Sequence, residues 1–164
     1  MKRLSDGVYL EEGSITLLTE EMIIFLRNEC LQAEKKRARI NFHQSSSDLV
    51  QEMIVAIHRD SFIPPHRHFN KSESFHLIEG ELTVVIIDEK TFDEKTRVTL
   101  SASSLERYYR LNSCEYHLVI PRTEIVIIHE TTQGPFVQGE GYCPDTHLTP
   151  AKMKALELIR SSII

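Results

Sequence analysis

His66 and His68 flank Arg67, and Glu73 follows after the short run Phe69-Asn70-Lys71-Ser72. Side chains at i and i+2 of an extended segment project to one face, so the two imidazoles can converge on one ion. The intervening run has turn chemistry and would bring Glu73 back as a hard oxygen ligand. Imidazole and carboxylate ligands with coordination positions left open suit a reactive divalent metal rather than a closed structural one. The competing reading is two surface histidines in a Pro-Pro turn, with Glu73 pairing incidentally with Lys71 or Arg67.

These residues must be held by a framework of strands. From residue 49 the chain runs in short segments rich in Val, Ile and Thr, and strands are predicted over Val50–Ile57, Ser74–Ile78, Leu82–Ile87, Arg97–Leu100, Glu115–Val119 and Glu124–His129. Glu79-Gly80 signals a hairpin and Asp93-Glu94-Lys95 a further turn. Many short antiparallel strands point to a sandwich or small barrel. Before them, Thr19 to about Lys36 reads as a helix, capped by Thr19, with Glu20 and Glu21 at its positive end and an apolar stripe of Ile23, Leu26, Cys30 and Leu31. Lys35-Lys36-Arg37 reads as its solvated C-terminal end. Thr149-Pro150 opens a final helix to about Ile159.

The spacing His66-x-His68-x4-Glu73-x6-Gly80 resembles the first signature of the cupin superfamily, G-x5-H-x-H-x(3,4)-E-x6-G. Its leading glycine falls on Asp60, a residue that tolerates left-handed turns. Of the second signature, G-x5-P-x-G-x2-H-x3-N, only the histidine is represented, as His117. A lone strand histidine is ordinarily just packed, but the cupin resemblance implies that His117 faces the first three ligands. More closely, the chain resembles the WbuC family of cupin fold metalloproteins, encoded among bacterial O-antigen genes. That likeness runs through Arg39-Ile40-Asn41-Phe42-His43, Pro65-His66-Arg67-His68, Lys71-Ser72-Glu73-Ser74-Phe75 and His117-Leu118-Val119, ending near Glu130 and Gly134-Pro135-Phe136. The family's usual aromatic-Ala-Pro ending is replaced by Tyr142-Cys143-Pro144.

The resemblance implies a mainly β fold, a cupin-type double-stranded β-helix (jelly-roll) barrel with a helix at each end. It would be one domain over 1–164, with 1–45 as helical and cover segment, 46–140 as barrel and 149–161 as closing helix. The ligand set implied is His66, His68, Glu73 and His117, holding one divalent ion (Zn, Fe, Ni, Mn or Co). Arg39, Asn41 and His43 share a face if extended. They either line a pocket, Arg39 and Asn41 binding substrate and His43 acting as acid or base, or face water while Ile40 and Phe42 turn inward. Tyr109 either walls that pocket or packs in an edge strand. Glu130 is a candidate base or a solvated turn carboxylate. His76 and Cys114, each three residues from a ligand, should face away, Cys114 as a small buried hydrophobe.

The family's genetic setting implies action on a small polar molecule, such as a sugar or sugar nucleotide of surface polysaccharide synthesis. A non-haem iron dioxygenase and a non-catalytic ligand-binding cupin are the alternatives. Composition narrows the partners. The 164 residues are 41% hydrophobic and 26% charged, ordinary for a globular domain, and the net charge of −5 disfavours nucleic acid. No apolar run reaches membrane-spanning length, no secretory leader is apparent, and Cys30, Cys114 and Cys143 form no paired framework, so reduced thiols in a cytoplasm are expected. Open sheet edges together with the resemblance lead to the expectation of a homodimer.

Overall fold

The computed structural model describes residues 1–141 and 148–164, so Tyr142-Cys143-Pro144 lies outside the described residues. The strands are β1 (Lys2–Ser5), β2 (Val8–Leu10), β3 (Arg37–Asn41), β4 (Val50–His58), β5 (Glu73–Glu79), β6 (Glu81–Ile87), β7 (Glu94–Ser101), β8 (Tyr108–Leu111), β9 (His117–Pro121) and β10 (Ile125–Gln133), with helices α1 (Glu20–Gln32) and α2 (Pro150–Ser161). They pair into a seven-stranded sheet of order β1-β2-β3-β4-β10-β5-β8 and a three-stranded sheet of order β7-β6-β9. Among the described residues, ladder pairing thus gives two sheets, a seven-stranded and a three-stranded one, and does not join them into a closed barrel.

Alternation along the strands divides the chain into layers. Met53, Val55 and Ile57 of β4, Phe75 and Leu77 of β5 and Val126 and Ile128 of β10 face Leu82, Val84 and Ile86 of β6, Leu100 of β7 and Val119 of β9 across the interior. The alternate residues Ile54, Ala56 and Ile127 turn outward with Ala38 and Ile40 to meet Leu26 and Cys30 of α1. On the far side Val85, Ile87, Leu118 and Ile120 are covered by Leu156 and Ile159 of α2. The order is helix, large sheet, small sheet, helix. Both faces of β4 are buried, which is why it reads as a continuous apolar run.

Several boundaries move. α1 begins where expected, with Thr19 Oγ1 accepting the Met22 N–H at 3.3 Å, but ends at Gln32. Lys36 takes a left-handed φ of 53°, and the chain turns so that Arg37 opens β3 rather than closing the helix. β7 starts at Glu94 because its turn comes earlier, where Asp88 Oδ1 accepts the N–H groups of Lys90 and Thr91. β10 extends to Gln133, four residues beyond the predicted end at His129. Asp60 is not left-handed, and its turn is closed instead by the Ser61 N–H donating to the His58 carbonyl at 2.9 Å. Gly80 has φ 80° at the β5–β6 hairpin, with Thr123 and Ile125 too close for any Cβ.

Candidate metal centre and its cavity

The ligand segment is not a ladder strand. His66 makes a single antiparallel bridge to His117, each N–H donating to the other's carbonyl at 3.2 and 2.9 Å. Arg67 turns to the opposite side, its guanidinium stacking on Phe69 and Tyr116 and pairing with Glu89 at 3.2 Å. The Arg67 carbonyl presses against Gly141, whose φ of 85° and missing Cβ permit the approach. This fixed Arg67 keeps His66 and His68 on the inner side. Asn70, with φ 55°, makes the turn that delivers Glu73 to the first position of β5.

Ligand atoms of His66, His68, Glu73 and His117 all lie within 4.8 Å of one another. Ring centroids are 4.2 Å apart for His66 and His117 and 5.4 Å for His68 and His117. Glu73 and His117 are 2% and 0% exposed. His66 Nδ1 lies 3.1 Å from the Pro64 carbonyl and His117 Nδ1 3.2 Å from the Glu115 carbonyl. A carbonyl only accepts, so each Nδ1 carries the proton and each Nε2 presents a lone pair to the centre when the ring is neutral. Burial, with His117 adding to it, pushes His66 down to about 3, so its ring is neutral.

His117 Nε2 faces Glu73 Oε2 at 3.3 Å, and neither atom has a hydrogen-bond partner among the described residues. Two buried lone-pair acceptors opposed in this way are unfavourable alone. A divalent cation between them satisfies both, and His68 Nε2, 2.9 Å from Glu73 Oε1, completes the set. The residues therefore fit a metal. Borderline nitrogen donors with one hard oxygen accommodate Zn, Fe, Ni, Mn or Co.

The cluster adjoins two cavities. One, of about 620 Å³, is lined by His66, Glu73, Glu130, Arg37 and Arg39 together with interior apolar side chains. The other, of about 320 Å³, is lined by His68, Lys71, Ser72 and Arg110.

The polar residues singled out from sequence fall into a cross-sheet row. Asn41 pairs with Met53, Met53 with Glu130, Glu130 with Phe75, and Phe75 with Tyr109. Arg39 lies in the next row, opposite Val55. The alternation runs opposite to the cover-strand reading: Ile40 packs outward beneath α1, while Arg39 lines the interior and Asn41 is buried. His43 lies beyond the end of β3, outside the cavity lining, with Nδ1 accepting the Glu52 N–H at 3.0 Å. Tyr109 is in the edge strand β8, its ring 5.6 Å from Phe75 and its hydroxyl without a hydrogen-bond partner among the described residues. It is not among the cavity-lining residues. His76 is exposed, as expected, and so is Cys114, where a buried thiol was expected.

Glu130 is no turn carboxylate. The extension of β10 brings it to the interior face, where it lines the larger cavity and is otherwise enclosed by protein. Burial pushes its carboxyl up to about 7, Glu73 adds to the rise and Arg39 opposes it. Arg37 is not a solvated helix end but the first residue of β3, where the period-two pattern Arg37-Ala38-Arg39-Ile40-Asn41 begins.

Residues 18–99 match the family described as Domain of unknown function (DUF6016), half of the chain. The chain belongs to that family. The match includes His66, His68 and Glu73 and stops before His117 and Glu130. No curated protein matches significantly. Among solved structures, a protein from Shewanella oneidensis is 11% identical, with a TM-score of 0.57 over 74% of this chain and 84% of that one. CapF, solved with the inhibitor 3-isopropenyl-tropolone, is 13% identical at a TM-score of 0.52, covering 70% of this chain and 31% of its own. The chain thus spans under a third of CapF. A cupin superfamily protein from Desulfitobacterium hafniense is 13% identical at a TM-score of 0.46, covering 59% of this chain and 76% of that one. At these identities the first two likenesses concern the fold alone.

Proposed function

We propose that this protein is a metal-dependent cupin that acts on a small polar molecule, such as a sugar or sugar nucleotide of bacterial surface polysaccharide synthesis. The supporting observation is the buried convergence of His66, His68, Glu73 and His117, with lone pairs turned inward and a cavity at their side. The likeness of the chain's motifs to the WbuC family supplies the substrate class. A bound divalent ion would polarise a carbonyl or hydroxyl of the ligand, or acidify a water.

The chain's own residues do the rest. The Pro64 and Glu115 carbonyls hold the His66 and His117 rings in one tautomer and orientation. Met53, Val55, Phe75 and Ile128 form an apolar part of the cavity wall, where electrostatic contacts are strengthened. Glu130 holds or releases a proton near neutrality beside the ligand.

The test compares metal-loaded and chelator-treated protein by thermal unfolding against a panel of sugars and sugar nucleotides. A rise in Tm that requires metal is expected for at least one member, followed by its conversion, observed by NMR. Identical shifts with and without metal would remove the metal from function.

A further inference from the structure

The larger cavity contains charges that do not satisfy one another. Arg37 and Arg39 project into it from β3 and Glu130 from β10, two strands away across β4. Among the described residues, no hydrogen bond or ion pair joins either guanidinium to Glu130, and Arg39 Nε is buried without a partner. β4 contributes only Met53, Val55 and Ile57 between them. Asp6, Glu34 and Lys35 also line the space, but Glu34 and Lys35 are exposed, and Asp6 is engaged locally, with Oδ1 3.3 Å from Arg3 and Oδ2 accepting the Glu34 N–H at 3.0 Å. Both arginines are half-buried, and the buried Nε of Arg39 is costly unless an acceptor meets it; the fixed guanidinium fork matches the oxygens of a carboxylate or phosphate.

We propose that Arg37, Arg39 and Glu130 form an anion subsite beside the metal centre, and that the ligand is a small organic acid placing a carboxylate or phosphate there. This deepens the metal-dependent reading above and rests on it for the other end of the ligand, which reaches the ion beside His66 and Glu73. The two arginines neutralise the anionic group. Glu130, when protonated, donates a hydrogen bond to it or to a neighbouring hydroxyl. A divalent ion held by His66, His68, Glu73 and His117 would outweigh the negative charge of Glu73 and add to the positive charge of the two arginines, inside a chain of net charge −5. The cavity therefore selects for anions where the outer surface repels them.

Calorimetric titration of the metal-loaded protein with inorganic phosphate, glucuronate and glucose tests this. Phosphate or glucuronate should bind at least about tenfold more tightly than glucose, and an Arg37→Gln/Arg39→Gln variant should lose that margin with its metal content unchanged. Which of the two anions binds identifies the group. Arg39→Lys keeps the charge and should keep part of the margin, which separates loss of the subsite from loss of the fold. Glucose binding as tightly as the anions, no anion binding, or equal anion affinity in parent and Gln variant each overturns the subsite. Elemental analysis of the same samples isolates the underlying reading: arginine-dependent anion binding by protein that takes up no metal would leave the subsite standing and remove the metal.

Discussion

At the scale of single residues, the ligand set was readable because its members are close in sequence. His66, His68 and Glu73 are set by one turn and one alternation, both local rules. Glu130 was ambiguous because its role depends on where β10 stops, and strand ends are set by partners: here Met53 on one side and Phe75 on the other. Its consequence can be measured. In metal-free protein the folded state holds a proton on Glu130 up to about pH 7 that the unfolded chain releases in the ordinary carboxylate range. The folded state then binds more protons than the unfolded one in that window, so this group lowers stability as pH rises through it. Glu130→Gln should be more stable than the parent near pH 8, by at most about 3 kcal/mol, with the difference fading below about pH 4. Urea unfolding at several pH values reads this directly, and parallel pH profiles for the two proteins would refute the assignment.

At the scale of elements, α1 and the outer face of the large sheet support the cavity from behind. Leu26 is fully buried against Ile40, Ile54 and Ile127, whose strand neighbours Arg39, Val55 and Ile128 line the cavity. Leu26→Ala should cost about 2–5 kcal/mol by the cavity it leaves, and Thr19→Ala about 1 kcal/mol by loss of the cap. Both should retain metal. A Leu26→Ala protein as stable as the parent in urea would mean that α1 does not close this layer. The apolar stripe and the Thr19 cap made α1 legible, as did Thr149-Pro150 for α2, where Thr149 Oγ1 accepts the Lys152 N–H at 3.4 Å. β1 and β2 were not legible. At four and three residues they are too short to show a period, and β1 is also wholly exposed. β3 was legible only in part: its alternation was plain, but which face met the core depended on α1 covering Ile40.

For the molecule as a whole, two sheets with a helix on each outer face leave β1, β8, β7 and β9 as edges. Among the described residues, no helix is long and apolar enough to cross a membrane. β9 is buried, but the exposed residues of β1, β7 and β8 favour pairing between copies, so a dimer is the expected state, and a monomer by light scattering at micromolar concentration would exclude it. The central claim is that the four converging side chains hold a metal. Elemental analysis of untagged protein, beside a His66→Ala/His68→Ala variant of equal helix and sheet content by circular dichroism, tests it most directly. The account predicts about one divalent ion per parent chain and a value near zero for the variant. Equal metal content in the two proteins would contradict it.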